Sequence, residues 1–421
     1  MAGSSGKENR QIHGISIARN SFEDFKCNAN EAIHFKLVRK EEDILDESKV
    51  FQPDMTHQIF GDSESIFGYQ KLKIEMFFTA ARLTACINIK YSDRIIPERC
   101  DGVHADDVMR ILVDKLELSP ANFYTSLDKF RTQIPKEINF RPFGEMIHSY
   151  TTEKAGETRQ FEIYKTKIEA PGFRDFHERL QVFLMFYVDA ASYIDVDDER
   201  WDYYLLFEKY SCDGNKMYAV AGYMTVYNYY AYPEKVRPRI SQVLVLPPFQ
   251  RMGHCAMLIQ TFYNQITPDK NVRDITVEDP SEGFQRVRDY VDCCNCMKLD
   301  AFKPEKLHKG FSDEMVRTAR EKLKINKKQA RRVYEILRLK VTDVSQREAF
   351  KQYRLDVKKR LNLPFQKTGR DFEKLRRTLD PTELAAAMNN YTLEQRLQYL
   401  NKAFEDTTNE YSRIVERMAR S

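Results

Sequence analysis

Residues 239–268 read RISQVLVLPPFQRMGHCAMLIQTFYNQITP, a pattern that predicts a strand, a tight turn and a helix in succession. Apolar and β-branched residues fill positions 240 and 243–246, and two prolines then end the strand. From His254 to Pro268, apolar residues recur at helical spacing. The turn presents backbone N–H groups at a helix N-terminus, where they lack partners inside the helix and carry about half a positive charge. This turn is therefore predicted to bind phosphate.

The motif within the turn separates the classes of phosphate-binding protein. No stretch fits G-x-x-x-x-G-K-[ST], and no G-x-G-x-x-G follows a strand, which excludes the P-loop and dinucleotide fingerprints. What remains is Q-x-x-G-x-[G/A], filled by Gln250, Gly253 and Cys255, with Ala256 next. This pattern resembles the pyrophosphate-binding motif of the GNAT acetyltransferases, which hold acetyl-coenzyme A. Cysteine stands where that family usually has glycine or alanine. A plain strand-to-helix turn in which Gly253 only assists packing is the alternative interpretation.

Size and charge limit the class of protein. With 421 residues the chain is expected to form two or three domains, and its 42% hydrophobic content is typical of globular proteins. Lysine and arginine total 67 against 63 acidic residues, a net charge of +4. This balance disfavours a protein that binds nucleic acid directly, since such proteins depend on a large positive charge. A charged partner must therefore bind to a local patch of charged residues on the surface, not to a large overall charge.

The spacing of the cysteines and the length of the apolar runs indicate the cellular compartment of the protein. The eight cysteines show no disulfide framework and no paired zinc-knuckle spacing; Cys293, Cys294 and Cys296 form the only cluster and lack a second ligand pair. No metal is therefore expected. No signal peptide is recognised at the start of the chain, and no apolar run is long enough to span a bilayer. We expect a reducing compartment, cytosol or nucleus, and no membrane partner.

The predicted elements give an α+β fold divided into five parts. These parts are a disordered tail at 1–20, an N-terminal α+β domain at 21–139, a catalytic domain at 140–292, a C-terminal helical domain at 293–345 and a helical extension at 346–421. In the catalytic domain an antiparallel meander is followed by a helix and one more strand. That succession resembles the GNAT core, a mixed, mostly antiparallel sheet with flanking helices, in which the cofactor lies between the fourth and fifth strands.

Four separated segments narrow the resemblance to one family. They are SYIDVDDERW at 192–201, GYMTVYNYY at 222–230, ITVEDPS at 275–281 and NKKQARRVYEILRL at 326–339. Together they resemble the catalytic subunit of the type B histone acetyltransferases, over a span from about Cys27 to the C-terminal helices. The resemblance implies acetylation of N-terminal tail lysines of newly synthesised histone H4, with histone H2A as a further substrate. It also implies a WD40-repeat histone chaperone as partner and a location in both nucleus and cytoplasm.

The resemblance also assigns residues to the cofactor and to catalysis. It places pyrophosphate on the backbone amides of Gln250, Arg251, Met252, Gly253, His254, Cys255 and Ala256, and the pantetheine arm along Val243, Leu244 and Val245. It makes Glu278 the general base, with Asp189 and Asp279 as supporting or competing carboxylates. At Asp189 the family more often has glutamate, so the reach of this side chain is shorter here.

For the histone tail, the resemblance implies a groove with acidic and aromatic walls. Its predicted residues are Asp62, Ser63, Glu64, Trp201, Tyr227, Asn228 and Tyr229. The residues themselves leave other interpretations open. The acids are also explained as solvated turn residues, the indole as a packed side chain, and half of the tyrosines as core residues.

Acetylation of a lysine requires its neutral amine. Because the pKa of lysine is about 10.4, roughly one molecule in two thousand is neutral at pH 7, and the site must offset about 4–5 kcal/mol. Glu278 follows apolar Ile275 and Val277 and is expected to remove the proton, directly or through one water, before direct attack in a ternary complex. Cys255 as an acyl-accepting nucleophile is disfavoured, because a cysteine under a pyrophosphate is badly aimed.

Two other functions remain compatible with the sequence. One is acetylation of a different amine, such as a protein N-terminus or a polyamine. The other is a histone-binding scaffold without catalysis, suggested only by Cys255 at the small position.

Three basic clusters lie in the predicted C-terminal helices, at Lys327-Lys328 with Arg331-Arg332, at Lys358-Lys359-Arg360 and at Arg376-Arg377. Solvated helix faces explain most of them, and a nuclear-import signal or a chaperone contact is the alternative.

Overall fold

A computed structural model describes residues 22–100, 102–119, 123–154, 156–363 and 392–420. The predicted disordered tail at 1–20, the predicted helix start at Asp380 and the cluster Arg376-Arg377 lie outside these residues. The chain forms two compact units. The first comprises Met1–Asn228 and Ile240–Leu258, and the second comprises Tyr229–Arg239 and Ile259–Ser421. The five-part division remains a prediction.

The N-terminal half of the first unit is built on a four-stranded sheet in the order β2-β5-β6-β8. Both faces of β5 are covered, and its residues from Ile74 to Thr79 are buried. A core of Val38, Phe77, Cys86 and Phe130 packs against this sheet. The strands are β1 (Lys26–Asn28), β2 (Ile33–Val38), β3 (Ser65–Phe67), β4 (Tyr69–Gln70), β5 (Lys73–Thr79), β6 (Ala85–Lys90), β7 (Asp93–Arg94) and β8 (Phe123–Tyr124). The helices are α1 (Ala29–Ala32), α2 (His57–Phe60), α3 (Val108–Lys115) and α4 (Leu127–Arg131).

The predicted antiparallel meander forms the second half of this unit. Its strands are β9 (Glu145–Lys154), β10 (Glu157–Thr166), β11 (Trp201–Cys212), β12 (Asn215–Ala231) and β13 (Lys235–Val245), paired in that order. A two-residue turn at Asp213-Gly214 joins β11 to β12, and both residues have positive φ, 49° and 78°. This conformation matches the right-handed twist of the strands, which is why Asp-Gly predicts such a hairpin.

One predicted helix is interrupted in the structure. The sequence predicts a single helix carrying Phe176, Leu180, Phe183 and Tyr187 on one face, but α5 (Phe173–Gln181) and α6 (Leu184–Tyr187) are separate. All the apolar side chains of this set except Tyr187 are nevertheless buried, since each short helix turns its own apolar side to the core. Burial against the sheet thus outweighs the continuity of the helix.

His177 on α5 makes stability depend on pH. Its ring is 1% exposed and packs against Phe173, Tyr203 and Tyr223, and neither ring nitrogen has a hydrogen-bond partner among the described residues. Burial lowers the pKa of His177 from 6.5 to about 4. The unfolded chain therefore binds the proton first, so stability is lost as pH falls from 6.5 to 4, by up to about 3 kcal/mol.

We expect His177→Leu to flatten this pH dependence, measured as the free energy of unfolding between pH 7 and pH 4. The matched control is His104→Gln, which changes an exposed histidine and should keep the slope. A His177→Leu protein with an unchanged slope would assign the acid sensitivity to other groups.

The second unit is helical apart from its strand segments. Within it the adjoining ends of β12 and β13 pair, and the short strand β14 (Thr276–Val277) joins β13. Helix α7 (His254–Ile266) begins in the first unit and continues into the second. The other helices of the second unit are α8 (Glu282–Cys296), α9 (Pro304–Leu307), α10 (Asp313–Leu323), α11 (Lys327–Val341), α12 (Arg347–Leu361) and α13 (Leu393–Arg420). The sequence predicts helix caps at Ser281 and Asn326, and both side chains accept hydrogen bonds from the third residues of α8 and α11. The capping box predicted for Asn326 with Gln329 is incomplete, because the Gln329 side chain donates to Asp289 and Asp292 instead. Among the described residues, no helix has the length and apolarity needed to cross a bilayer.

Candidate active site

The turn between β13 and α7 has the geometry of an anion site. Arg251 and Gly253 both have positive φ, 62° and 84°. The Gln250 side chain donates to the carbonyl of Val245 at 3.0 Å and so fixes the turn to the end of the strand. The amides of Arg251, Met252 and Gly253 have no acceptor within the described chain. Left-handed residues that turn successive N–H groups outward form a concavity suited to phosphate oxygens.

The space around this turn fits a pyrophosphate. A Cβ added to Gly253 would meet nothing within 4 Å, so the front of the turn is open. A cavity of about 900 Å³ lies at residues 247–249, just before the turn; its lining includes Arg39 and Arg159 but none of residues 250–256. The helix behind the turn, α7, runs for 13 residues, long enough to direct a macrodipole at the anion. The residues present therefore fit the diphosphate of a coenzyme A thioester.

His254 and Cys255 contribute backbone rather than catalytic side chains. The His254 ring is 1% exposed, lies 4.1 Å from the ring of Phe161, and its Nδ1 is 2.7 Å from the hydroxyl of Tyr150. The imidazole is therefore part of the core, and only the amide of His254 can serve an anion. Cys255 is half-buried in the first turn of α7.

Strand β13 lies between β12 and β14 in the sheet, but β14 has 2 residues against 11 in β13, so most of the β13 side that faces away from β12 is an edge. The amide of Leu246 donates to Ala221 on β12 at 2.9 Å, so by alternation Val243 and Val245 direct their N–H and C=O groups away from β12. Leu244 is buried at 5% exposure, whereas Val243 and Val245 are half-buried. A strand-like ligand can therefore pair with this edge.

Gly222 on β12 allows β13 its close approach. Between Leu206 and Phe207 of β11 the pairing partner moves from Gly222 to Val220, which marks a β-bulge. A Cβ on Gly222 would lie 2.4 Å from the carbonyl oxygen of Leu244. Only glycine therefore fits at this point of the sheet.

Gly222→Ala should displace the β13 backbone. We expect a loss of stability of about 1–3 kcal/mol from overpacking, together with weaker coenzyme A binding, measured by chemical denaturation and calorimetry. The control is Gly283→Ala on α8, where the nearest atom to the added Cβ is 3.9 Å away. That change should be neutral or stabilising by about 0.4–1 kcal/mol. Equal behaviour of the two variants would contradict the close approach.

Glu278 follows β14 in a setting that differs from the apolar one suggested by its neighbours. Its side chain is 49% exposed, and its Oε1 lies 3.9 Å from a guanidinium nitrogen of Arg239. The same guanidinium lies 4.5 Å from the ring centre of Tyr229. Asp279 is exposed and has a φ of 30°. The second unit thus brings together Glu278 and the predicted tail residue Tyr229 around one arginine, with Asp279 next to Glu278 in the chain.

Asp189 lies beside the predicted tail loop in the first unit. Its Oδ1 is 3.1 Å from Nε2 of His57, and Nδ1 of that ring is 3.8 Å from Glu64. Asp189 is 75% exposed and also accepts from the amide of Ala190 at 2.9 Å. The imidazole therefore holds two predicted site carboxylates at one place.

The predicted loop 57–64 begins as a helical turn, α2, and its acids have different positions. Asp62 and Ser63 are exposed. The Glu64 carboxylate turns back and accepts from the amides of Thr56 and His57, at 2.7 and 3.1 Å, and from Asn30. These hydrogen bonds lower the pKa of Glu64. Asp62 and Ser63 are thus free for a peptide, whereas Glu64 mainly shapes the loop.

Trp201 and Tyr227 form one wall of rings. Their ring centres are 4.8 Å apart, with an edge-to-face arrangement, and Trp201 is 9% exposed. The Tyr227 hydroxyl donates to Asp198 at 2.8 Å, and Asn228 donates to Asp202 at 2.9 Å. The indole of Trp201 is therefore largely a packed side chain, which agrees with the alternative interpretation of this residue given above. It packs against Tyr227 and supports that ring.

The predicted residues thus fall into two groups. The turn, the β13 edge, Asp189, the tail loop and the Trp201 wall belong to the first unit, and Glu278, Asp279 and Tyr229 belong to the second. Three neighbours of these residues were not predicted: His57, Arg159 and Arg239. Arg159 places its guanidinium 5.3 Å from the ring centre of Phe249 and donates to buried Glu208 at 2.6 Å. Arg159 and Arg239 meet their partners across the fold, and no local pattern marks them. His57 lies in the predicted loop beside Glu64, but its contact with Asp189 joins distant parts of the chain.

Known proteins are similar in sequence to this chain over its full length. Residues 25–189 match the family described as Histone acetyl transferase HAT1 N-terminus, and residues 288–339 match the family described as Histone acetyltransferase type B catalytic subunit, C-terminal. The Histone acetyltransferase type B catalytic subunit of Homo sapiens is 44% identical over 421 residues, covering 100% of both chains. That of Mus musculus is 45% identical, covering 96% of this chain and 97% of its own.

More distant proteins also match. A protein of the same name from Dictyostelium discoideum is 34% identical, covering 77% of this chain and 70% of its own. A crystal structure of an aminoglycoside acetyltransferase from an uncultured soil metagenomic sample covers 31% of this chain and 84% of its own, at 16% identity and a TM-score of 0.23, too distant to inform function. By its identity to the full-length relatives, the chain belongs to the histone acetyltransferase type B catalytic subunits and is an acetyltransferase.

Proposed function

We propose that the protein transfers the acetyl group of acetyl-coenzyme A to lysine side chains in the N-terminal tail of newly synthesised histone H4, with the H2A tail as a further acceptor. Binding of acetyl-coenzyme A is supported by the turn after β13. The amides of Arg251, Met252 and Gly253 in this turn have no acceptor among the described residues, and the space before Gly253 is open. The observation that carries the acceptor part is the exposed acidic loop at Asp62, since histone tails are basic.

Each group of residues has a defined role in this proposal. The amides from Arg251 to Ala256 bind the diphosphate, whereas the amide of Gln250 already donates to the carbonyl of Pro247 at 3.2 Å. Val243 and Val245 hold the pantetheine amides as a neighbouring strand would. A backbone N–H on this strand polarises the thioester carbonyl. Acetyl-coenzyme A, when bound, supplies an activated acyl group, and no group of the protein needs to carry it.

Glu278 is the proposed general base. Its carboxylate accepts a proton from the lysine ammonium, directly or through one water, and the freed amine becomes the nucleophile. Arg239, with a guanidinium nitrogen 3.9 Å from Oε1, is the charged neighbour of this carboxylate. Tyr229, stacked on the same arginine, offers apolar contact for the lysine methylenes. Asp189 is assigned to the acceptor peptide, because His57 already occupies one of its oxygens.

The proposal is tested by mass spectrometry of acceptors incubated with the full-length protein and acetyl-coenzyme A. A histone H4 tail peptide should gain 42 Da on lysine, by the arithmetic of replacing a proton by an acetyl group, faster than an H2A peptide. A peptide with a free N-terminus but no lysine, and spermidine, are the competing acceptors. Preferred acetylation of either would replace the histone substrate by another amine, and absence of any product together with absence of cofactor binding would support a scaffold.

A WD40-repeat chaperone and a distribution between nucleus and cytoplasm are proposed from family membership. Of the basic clusters on α11 and α12, only Lys327, Lys328 and Lys359 are exposed, and these are the charges that such a partner or an import receptor would meet. The arginines of these clusters and Lys358 are half-buried, so solvated helix faces do not explain most of the clusters. Co-purification with the chaperone and microscopy of a tagged full-length chain test the two proposals separately.

A further inference from the structure

A large cavity in the second unit is lined by Arg239, Thr276 and Val277 near Glu278 and extends to helices that the proposed reaction does not use. It has a volume of about 1150 Å³ and lies among α8, α11 and α12, with Tyr411 of α13 at its wall. Of the described residues that line it, eight are lysine or arginine and one, Asp356, is acidic. The cavity is therefore a concentration of positive charge in a chain whose overall charge is only +4.

Three lysines supply the uncompensated part of that charge. Lys327 and Lys328 are the first two residues of α11, and Lys359 lies in the last turn of α12. All three are exposed, and none makes an ion pair with a residue in the described ranges. Two separate helices thus direct free ammonium groups at one space.

The N-terminus of α11 is built against local electrostatic preference. Its first turn contains no acidic residue and starts with two lysines, although a helix N-terminus is positive. The Asn326 side chain satisfies only the amide of Gln329, and the amides of Lys327 and Lys328 have no acceptor among the described residues. An anion at this point would relieve the repulsion and satisfy the amides, and such local violations mark functional sites.

Buried carboxylates fix the positions of three of the arginines that line the cavity, Arg331, Arg332 and Arg360. Glu335, 0% exposed, accepts from Arg331 and Arg360 at 2.7 Å each, and Arg332 donates to buried Asp289 at 2.5 Å. These carboxylates offset the charge of the arginines and fix their planes, so the lysines remain as the free charge. A rigid wall of guanidinium groups keeps further N–H donors directed at the space without reordering.

We propose that this cavity binds a compact ligand carrying two or more phosphate groups. Phosphate oxygens match the combination of free ammonium groups, arginine donors and helix amides, and a compact ligand matches a concave cavity rather than an extended groove. Phe311 and Leu363 also line the cavity, so a nucleoside attached to the phosphates finds apolar contact. Inorganic polyphosphate and a nucleoside diphosphate share this chemistry.

The test is calorimetry on the full-length protein at low salt, with tripolyphosphate in one arm and ADP in the other. Excess coenzyme A is present throughout, so that the turn after β13 is occupied. We expect one site, with a dissociation constant raised at least tenfold in the triple variant Lys327→Gln, Lys328→Gln, Lys359→Gln. Replacing the same three residues by arginine should retain binding. Tighter binding of ADP than of tripolyphosphate would assign the ligand to the nucleotide class, and the reverse to inorganic polyphosphate.

The matched control is Lys298→Gln, Lys322→Gln, Lys402→Gln, which removes the same charge from exposed lysines outside the cavity and should leave binding unchanged. The proposal is overturned if neither probe binds, if the control variant weakens binding as much as the variant Lys327→Gln, Lys328→Gln, Lys359→Gln, or if the probes bind the unaltered protein only when coenzyme A is left out. Because acetylation of the H4 peptide is measured separately, failure here leaves the proposed function intact, and failure of acetylation leaves this site intact.

Discussion

Glu278→Gln is expected to lower kcat for an H4 peptide by about 100- to 10,000-fold, the range that a general base contributes. Glutamine keeps the size of the side chain but cannot accept the proton of the lysine ammonium at pH 7. The dissociation constant of coenzyme A should be unchanged, because the cofactor is assigned to the turn and to the β13 edge. Steady-state kinetics and calorimetry on the same preparation measure both quantities.

The other two carboxylates provide the comparison. Asp189→Asn should lower kcat less than tenfold and raise KM for the peptide, because Asp189 is 75% exposed and shared with His57. Asp279→Asn should also have a small effect, since the Asp279 side chain is exposed and its backbone, with a φ of 30°, lies beyond the end of β14. A loss in either variant as large as that of Glu278→Gln would move the general base to that residue. Unchanged turnover of Glu278→Gln would remove Glu278 from the mechanism.

Gly253→Asp should weaken coenzyme A binding by roughly 30- to 1000-fold. A carboxylate about 4 Å from a phosphate in an effective dielectric near 20 or above adds about 2–4 kcal/mol of repulsion. The open space before Gly253 means that this side chain would occupy the position proposed for the anion. Calorimetry with coenzyme A at two salt concentrations measures the loss, which should shrink as salt screens the repulsion.

Two further variants separate charge from backbone strain. Gly253→Asn places a neutral side chain of the same shape at the same positive φ, so it should bind more tightly than Gly253→Asp. Gly214→Asp introduces the same residue at a φ of 78° in the β11–β12 turn, where an added Cβ also meets nothing within 4 Å. It should leave coenzyme A binding unchanged. Equal binding by Gly253→Asp and the unaltered protein would exclude the turn as the pyrophosphate site.

Hydrogen-bonding patterns that involve neighbours in the chain were predictable from the sequence. The strand that ends at Val245, the helix from His254 to Ile266, the hairpin at Asp213-Gly214 and the cap at Asn326 all form as predicted. Each depends on residues within one turn or one strand, where side-chain size, φ preference and capping chemistry act directly. The short strand β14 is the weak case, since two residues cannot be delimited by periodicity.

The sequence alone therefore determined the α+β class, the order of the elements and the resemblance to a family, because these follow from local periodicity and from segments that can be read one at a time. Only the tertiary structure decided that His254 faces Phe161 in the core, that Arg159 borders the turn, and that Arg239 rather than an apolar pocket adjoins Glu278. These are contacts between residues distant along the chain. They depend on strand register and helix packing, which bring side chains together at distances that no local pattern specifies.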